Sequence, residues 1–262
     1  MKRISEIWIY PIKSMGGISL ETAQVRPKGF ELDRRWMLVD EANRFITQRE
    51  VTPMAFFKLS LSRDTLVVHH GNDHLEVPIA EQSGSTFDAV VWDDTVQVVE
   101  VSNQKSQWFS EKLGMKCKLV SFPEGNPRPV DERYKVANDH VGLADGYPYL
   151  IIGQSSLDDL NSRLATPVPM NRFRPNLVFT GGEPFEEDTW RNFSAGANRF
   201  VGVKPCARCV LTTVDQATGQ KGSEPLATLS RYRRNENKVL FGQNVIALDY
   251  DKVSVGDEVV LD

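Results

Sequence analysis

Two of the chain's three cysteines share one C-x-x-C, Cys206 and Cys209, within Val203-Lys-Pro-Cys-Ala-Arg-Cys-Val-Leu-Thr-Thr-Val-Asp215. Lys204 and Arg208 stand beside them. Nearby cations lower a thiol's pKa and favour the thiolate, the form that attacks electrophiles and binds soft metals. Val210, Leu211 and Val214, broken by Thr212 and Thr213, predict a strand that begins at the thiol pair and ends in the turn signal Asp215–Gly219. Four chemistries compete for the pair. Zinc needs four ligands, and neither a second cysteine pair nor His69, His70, His74 or His140 lies at ligand spacing. A thioredoxin-like dithiol should open a helix, whereas strand formers follow Cys209. Two buried thiols could pack as small hydrophobes. One thiolate could instead ligate a metal carried by an organic cofactor, provided cations elsewhere receive the cofactor's phosphate.

Such cations stand at the ends of strand-like runs. Lys13 and Ser14 open the Lys13-Ser-Met-Gly-Gly17 turn after a first strand around Ile4, Ile7 and Ile9. Arg34 heads Arg34–Val39, where period-2 alternation sends one arginine inward whichever face is buried. A partly buried arginine calls for an anion. Asp145, Arg174 and Asn176, and then Cys209 with Thr213 and Asp215, complete the set. Together they offer cations, hydroxyl and amide hydrogen bonds and one thiolate. That set suits a phosphorylated, heteroatom-rich cofactor whose metal accepts sulfur.

The elements that must position these residues are short. The 262 residues are 40% hydrophobic, with 13 Phe and 5 Trp, enough for a core without staples. A net charge of −4 argues against general nucleic-acid binding and leaves room for a local basic pocket. Three cysteines make no disulfide framework, so a reducing, cytoplasmic setting is expected. The N-terminus enters a strand pattern directly, and no run approaches membrane-spanning length, so no membrane partner is expected. Strand-like runs recur at Ser19–Val25, Phe56–Ser62, Thr65–His70, Leu75–Ile79 and Thr95–Val101. Helices are predicted at Ser102–Leu113, capped by Ser102 or Asn103 and stopped at Gly114, then from a capping box at Ser155 to about Leu164, and at Glu224–Arg231. Phe122–His140 is polar, with three prolines, and reads as the connection between two halves and a mobile cover over a site. The expected fold is α+β and mainly β, with a barrel-like half over 1–121 and a second β-rich half over 122–262.

These segments resemble the MOSC (molybdenum cofactor sulfurase C-terminal) proteins, and within them the amidoxime-reducing component and its bacterial YcbX-type counterpart. The resemblance is carried by Tyr10-Pro-Ile-Lys-Ser14, Asp33-Arg-Arg-Trp36, Asp145-Gly-Tyr-Pro-Tyr149, Leu160-Asn-Ser-Arg-Leu164, Asn171–Asn176, Cys206–Asp215 and Leu240-Phe-Gly-Gln243. It implies a molybdopterin-type molybdenum cofactor with Cys209 as the metal's protein ligand. It places Lys13, Ser14, Arg34, Arg174 and Asn176 around pterin and phosphate, with hydrogen bonds from Asp145, Tyr147 and Thr213. Cys206 would be structural, and Asp215 would orient the site or handle protons. Where the amidoxime-reducing component often has hydroxyl residues, this chain has Gly146 and Tyr147. The implied activity is two-electron reduction of N-hydroxylated small molecules to amines. Longer bacterial relatives carry a ferredoxin domain with four more cysteines that these residues do not include. Either such a domain lies outside these residues or electrons arrive from a separate iron–sulfur, flavin or haem protein, and the separate protein is the expectation. Two rivals are a non-catalytic cofactor or sulfur carrier and a pyridoxal phosphate enzyme, although no lysine here is marked for a Schiff base.

Overall fold

The computed structural model describes residues 1–262. It is mainly β, with three α-helices, as the sequence predicts. Seven strands close into a ring. Lys2–Ile9 pairs antiparallel with Leu177–Thr180 on one side and Glu258–Leu261 on the other. Tyr149–Gly153 runs parallel to Leu177–Thr180 and antiparallel to Lys238–Ala247. Asn198–Ala207 and Asn192–Ala195 then lead back to Glu258–Leu261. Closure leaves no bare edge on the ring.

Alternation along these strands sorts their side chains. Ile4, Ile7, Ile151, Leu177, Phe179, Phe193, Phe200 and Val245 fill one core cluster. Leu150, Ile152, Val178 and Phe241 join a second cluster, covered by Leu157 and Leu160 of the helix Gln154–Ser162 and by Leu229 of the helix Leu226–Tyr232. The ring therefore needs the chain's first strand. Thr22–Gln24 likewise pairs with Lys252–Ser254, so the N-terminal residues side with the C-terminal strands.

The intervening residues form a second body. One antiparallel sheet runs Trp36–Val39, Lys118–Ser121, Asp94–Glu100 and Thr86–Val91, and another runs Lys58–Ser62, Thr65–His70 and Asp73–Pro78. Trp36, Leu38, Leu59, Leu66, Val68, Val77 and Leu119 share a core with Phe109 of the helix Asn103–Leu113. Met37, Val39, Val96, Val98 and Val120 pack on the opposite face with Phe122 and Leu143. The helix begins as expected, with Ser102 Oγ accepting from the Lys105 amide at 3.4 Å, and stops at Gly114 with φ of 64°.

Three local expectations are corrected. The thiol pair closes a strand rather than heading one: Cys206 lies near the end of Asn198–Ala207, Cys209 follows that strand, and Val210–Thr213 is a 3-10 turn. Thr212 and Thr213 donate their hydroxyls to the carbonyls of Cys209 and Val210 at 3.0 and 2.8 Å, which favours the turn over extension. The helix Gln154–Ser162 has no capping box, because Gly153 precedes it and Ser156 Oγ donates to buried Glu187 at 2.9 Å. Arg34 stands outside its strand, which begins at Trp36, and has φ of 49°.

Candidate functional site

A cleft of about 560 Å³ opens between the two bodies. Lys13, Ser14, Arg34, Arg49 and Trp92 line one wall, and Asp145, Tyr147, Arg174, Asn176, Lys204, Arg208 and Cys209 belong to the other. Eight of the ten sequence-derived candidates meet here: Lys13, Ser14, Arg34, Asp145, Tyr147, Arg174, Asn176 and Cys209. Thr213 and Asp215 do not line it. Thr213 is buried with its hydroxyl on Val210. Asp215 caps the turn after it, accepting from the Ala217 and Thr218 amides at 2.9 and 2.8 Å.

The backbone at the cleft is held in unusual conformations. Ser14, Arg34, Trp92 and Arg174 have φ of 67°, 49°, 58° and 55°. Non-glycine residues reach the left-handed region only when their surroundings over-determine them, and such residues gather at functional sites. Here the ties are visible. The Lys13 amide donates to Trp36 O at 2.8 Å, the Arg34 amide donates to Tyr10 O at 3.0 Å, and Arg34 O accepts from Leu143 N at 2.9 Å. Gly17 permits the packing of Tyr10, since a Cβ there would stand 2.6 Å from the ring.

Tyr10 is the keystone of the cationic end. Arg34 and Arg174 lie on its ring, 4.6 and 4.1 Å from the centroid. Arg34 is neutralised by Asp33 at 2.7 Å and also donates to Asn176 Oδ1 at 3.2 Å. Asn176 spends its amide on Leu150 N and Trp8 O, so it locks the wall to the barrel. Arg174 is buried and has no carboxylate partner, only Met15 O at 2.6 Å. Burial, then the like charge of Arg34, pushes its pKa down to about 10. A buried guanidinium so placed is a receptor for an anion.

At the other wall, Asp145 accepts from Lys13 at 2.5 Å, Arg49 at 2.9 Å and Trp92 Nε1 at 3.2 Å. Burial alone would raise its carboxyl, but Lys13 and Arg49 outweigh that and hold it well below the usual range. Lys13 donates also to Leu143 O at 2.8 Å. Its pKa is lowered to about 8, chiefly by burial, with Asp145 opposing. An anion drawn to the cleft would raise that pKa again, so binding should take up a proton near pH 8 and weaken above it. Calorimetric titration of pyrophosphate in buffers of different ionisation enthalpy measures this uptake, and Lys13→Met should abolish it. The stability sign agrees: the unfolded lysine holds its proton to higher pH, so the cost of burying this charge is full below pH 8 and is relieved on going from 8 to 10.5.

Cys209 is an exposed free thiol on the cleft. Its turn is clamped by Arg172, which donates to Thr212 O at 2.8 Å, Asp215 Oδ2 at 3.1 Å and Glu224 O at 3.2 Å. Cys206 instead leans on the Phe173 and Phe241 cluster, and its sulfur accepts from Arg208 Nη1 at 3.0 Å. The Phe122–His140 connection, expected to be mobile, is anchored. Arg128 and Val130 are buried, and Arg128 pairs with Asp94 at 2.8 Å and donates to Gly142 and Ala144 carbonyls. Arg49, Trp92 and Arg128 escaped sequence reading. The Arg49 guanidinium stacks 4.1 Å from Trp92, a contact between residues 43 positions apart that no local pattern announces. Tyr147 stands beside Tyr134 with Lys204 over both rings, 5.8 and 4.2 Å away.

Residues 1–116 match the MOSC N-terminal beta barrel domain, and 138–260 match the MOSC domain. The chain is 33% identical over 278 residues to mitochondrial amidoxime-reducing component 1 of Mus musculus, covering 98% of this chain and 82% of that protein. It is 34% identical over 241 residues to mitochondrial amidoxime reducing component 2 of Bos taurus, covering 88% and 72%. To molybdenum cofactor sulfurase of Oryza sativa subsp. japonica it is 30% identical over 276 residues, 97% of this chain but only 33% of that protein. The chain thus belongs to the MOSC family, with the MOSC N-terminal barrel domain ahead of the MOSC domain.

Proposed function

We propose that the cleft holds a molybdopterin-type molybdenum cofactor and that the chain reduces N-hydroxylated compounds with electrons from a separate protein. The observation that carries this reading is the pairing of a buried guanidinium without an acid partner, Arg174, with a free thiol, Cys209, on one cleft. A guanidinium fork suits phosphate, and a thiolate suits a soft metal. The names of the similar proteins, amidoxime-reducing components and molybdenum cofactor sulfurases, point the same way.

In this reading Arg174, Arg34 and Lys13 receive the phosphate and pterin, while Cys209 completes the metal's ligand set. The bound group would supply a two-electron centre able to take oxygen from an N–O bond. This chain's residues bind and orient. Arg172 fixes the turn that presents Cys209, Asn176 locks the cationic wall, and Trp92 with Arg49 walls the side opposite the thiol's strand. A reducing cytoplasmic setting, which keeps Cys206 and Cys209 as thiols, belongs to the same proposal.

The test is protein made in a host that synthesises the cofactor. Elemental analysis should find about one molybdenum per chain. A reduced viologen dye should drive benzamidoxime to benzamidine, and NADH alone should not. Metal without turnover would favour a carrier, and protein that neither contains nor takes up the cofactor would end the proposal.

A further inference from the structure

Lys204 lines the cleft but stands apart from the cations gathered on Tyr10. It lies near the end of the strand Asn198–Ala207, two residues before Cys206. Its Nζ is 4.2 Å from the centroid of the Tyr134 ring and 5.8 Å from that of Tyr147, and the two rings meet edge to face. The ammonium has three protons to donate, yet no carboxylate pairs with it and no oxygen accepts from it. Its backbone is fixed, because Lys204 O accepts from Asn244 Nδ2 at 3.0 Å. The neighbouring acid is already taken. Asp131, also on the cleft, feels the charge of Lys204 but is gripped by Arg133 at 3.0 and 2.7 Å. On the other side of Cys206, Arg208 is a second cation of this wall without an acid. It donates to Cys206 Sγ at 3.0 Å and to Phe173 O at 2.5 Å, and its Nε is buried with no partner.

A cation held by ring faces alone has given up part of its water and gained no countercharge. It is also positioned in advance, so an anion that reaches it pays less ordering cost than at a free surface lysine. One ammonium is a point charge and suits a monoanion. Phosphate is better met by guanidinium forks, and those stand at the other end, where Arg34 and Arg174 flank Tyr10. The chain from Lys204 to Cys209 spans at most about 17 Å, the scale of an aryl substrate with a side arm. We propose that Lys204, framed by Tyr134 and Tyr147, is a carboxylate-binding subsite that selects N-hydroxylated substrates carrying an acidic side arm. The proposal rests on the reductase reading above, and it makes Lys204 a specificity residue that takes no part in the chemical step.

The test compares dye-driven kcat/KM within two matched pairs: 4-carboxybenzamidoxime and 4-(2-carboxyethyl)benzamidoxime, each against its own carboxamide. Shape is kept and charge is changed. Cofactor-loaded wild type should prefer the acid of at least one pair roughly tenfold at about 20 mM salt, as one charge-assisted hydrogen bond allows. The preference is a ratio within one protein, so differences in loading or overall activity cancel. Lys204→Met should bring the ratio to about one, Lys204→Arg should keep it, and Lys204→Glu should invert it. No acid preference in wild type, or a preference that survives Lys204→Met, would overturn the subsite. A second measurement needs no turnover. The cofactor-free full chain, labelled with ¹⁵N, is titrated with both acids. Amides of Val203, Lys204, Cys206, Tyr134 and Tyr147 should shift in wild type and stay still in Lys204→Met. Shifts confined to the surroundings of Arg174, or none at all, would overturn the subsite too. Wild type that reduces neither member of either pair would instead strike the reductase reading, and the titration would then decide the subsite by itself.

Discussion

Cys209→Ala is expected to lower dye-driven benzamidoxime turnover by at least ~100-fold, while Cys206→Ala keeps most of it. Changes to groups that only support metal ligands already cost about 10- to 100-fold, so if Cys209 ligates the metal as proposed, its loss should reach at least the upper figure. The two thiols differ in surroundings rather than in sequence context. Cys209 is exposed on the cleft, and its turn is anchored independently by Arg172. Cys206 packs against the Phe173 and Phe241 cluster and accepts from Arg208. Its loss frees one donor of Arg208, whose other nitrogen still holds Phe173 O at 2.5 Å. Turnover per bound molybdenum is the measure, because it separates chemistry from loading. Equal losses in the two variants would indicate a dithiol pair, and full turnover by Cys209→Ala would remove the thiolate from the mechanism.

How much of this site was legible depends on where its information lies. Cations, thiols and amides at the ends of strand-like runs are visible as residue types, and the cleft does bring together Lys13, Arg34, Asp145, Arg174 and Cys209. Local signals also worked where the chemistry is local, as with Ser102 and Gly114 around the helix Asn103–Leu113. The closed ring was not legible. Its decisive pairings, Ile7↔Leu177 and Lys2↔Val259, join residues more than 160 positions apart, and no periodicity encodes them. The turn after Cys209 misread as a strand because β-branched residues favour extension, unless their own hydroxyls bond back to the chain, as Thr212 and Thr213 do. Arg49 and Trp92 stayed hidden for a third reason. Each looks like an ordinary surface residue until the fold places both beside Asp145.

The two arginines on Tyr10 should respond in opposite ways to the same substitution. Arg174→Met, in protein purified without cofactor, is expected to raise the melting temperature by about 2–4 °C. The guanidinium is buried, and its pKa is lowered from 12.5 to about 10, first by burial and then by Arg34. A shift of that size corresponds to about 3 kcal/mol of unfavourable charge burial at neutral pH. Methionine removes this cost and keeps most of the length. It forfeits about 1 kcal/mol of hydrogen bonding to Met15 O and about 1 kcal/mol of stacking on Tyr10. The net gain is therefore about 1 kcal/mol, and it should be accompanied by at least a ~10-fold loss in affinity for pyrophosphate or cofactor. Arg34→Met should do the reverse to stability. Burial alone would lower the Arg34 pKa, but Asp33 outweighs it and raises it. Without Arg34, Asp33 would keep only the Tyr10 amide at 2.7 Å and sit 1% exposed with no ion-pair partner in contact. Breaking a buried pair in this way costs about 3–5 kcal/mol. Thermal scans of both variants, with and without pyrophosphate, read the contrast directly. Equal destabilisation by the two substitutions would mean that Arg174 is satisfied as it stands, and that the cleft is not waiting for an anion.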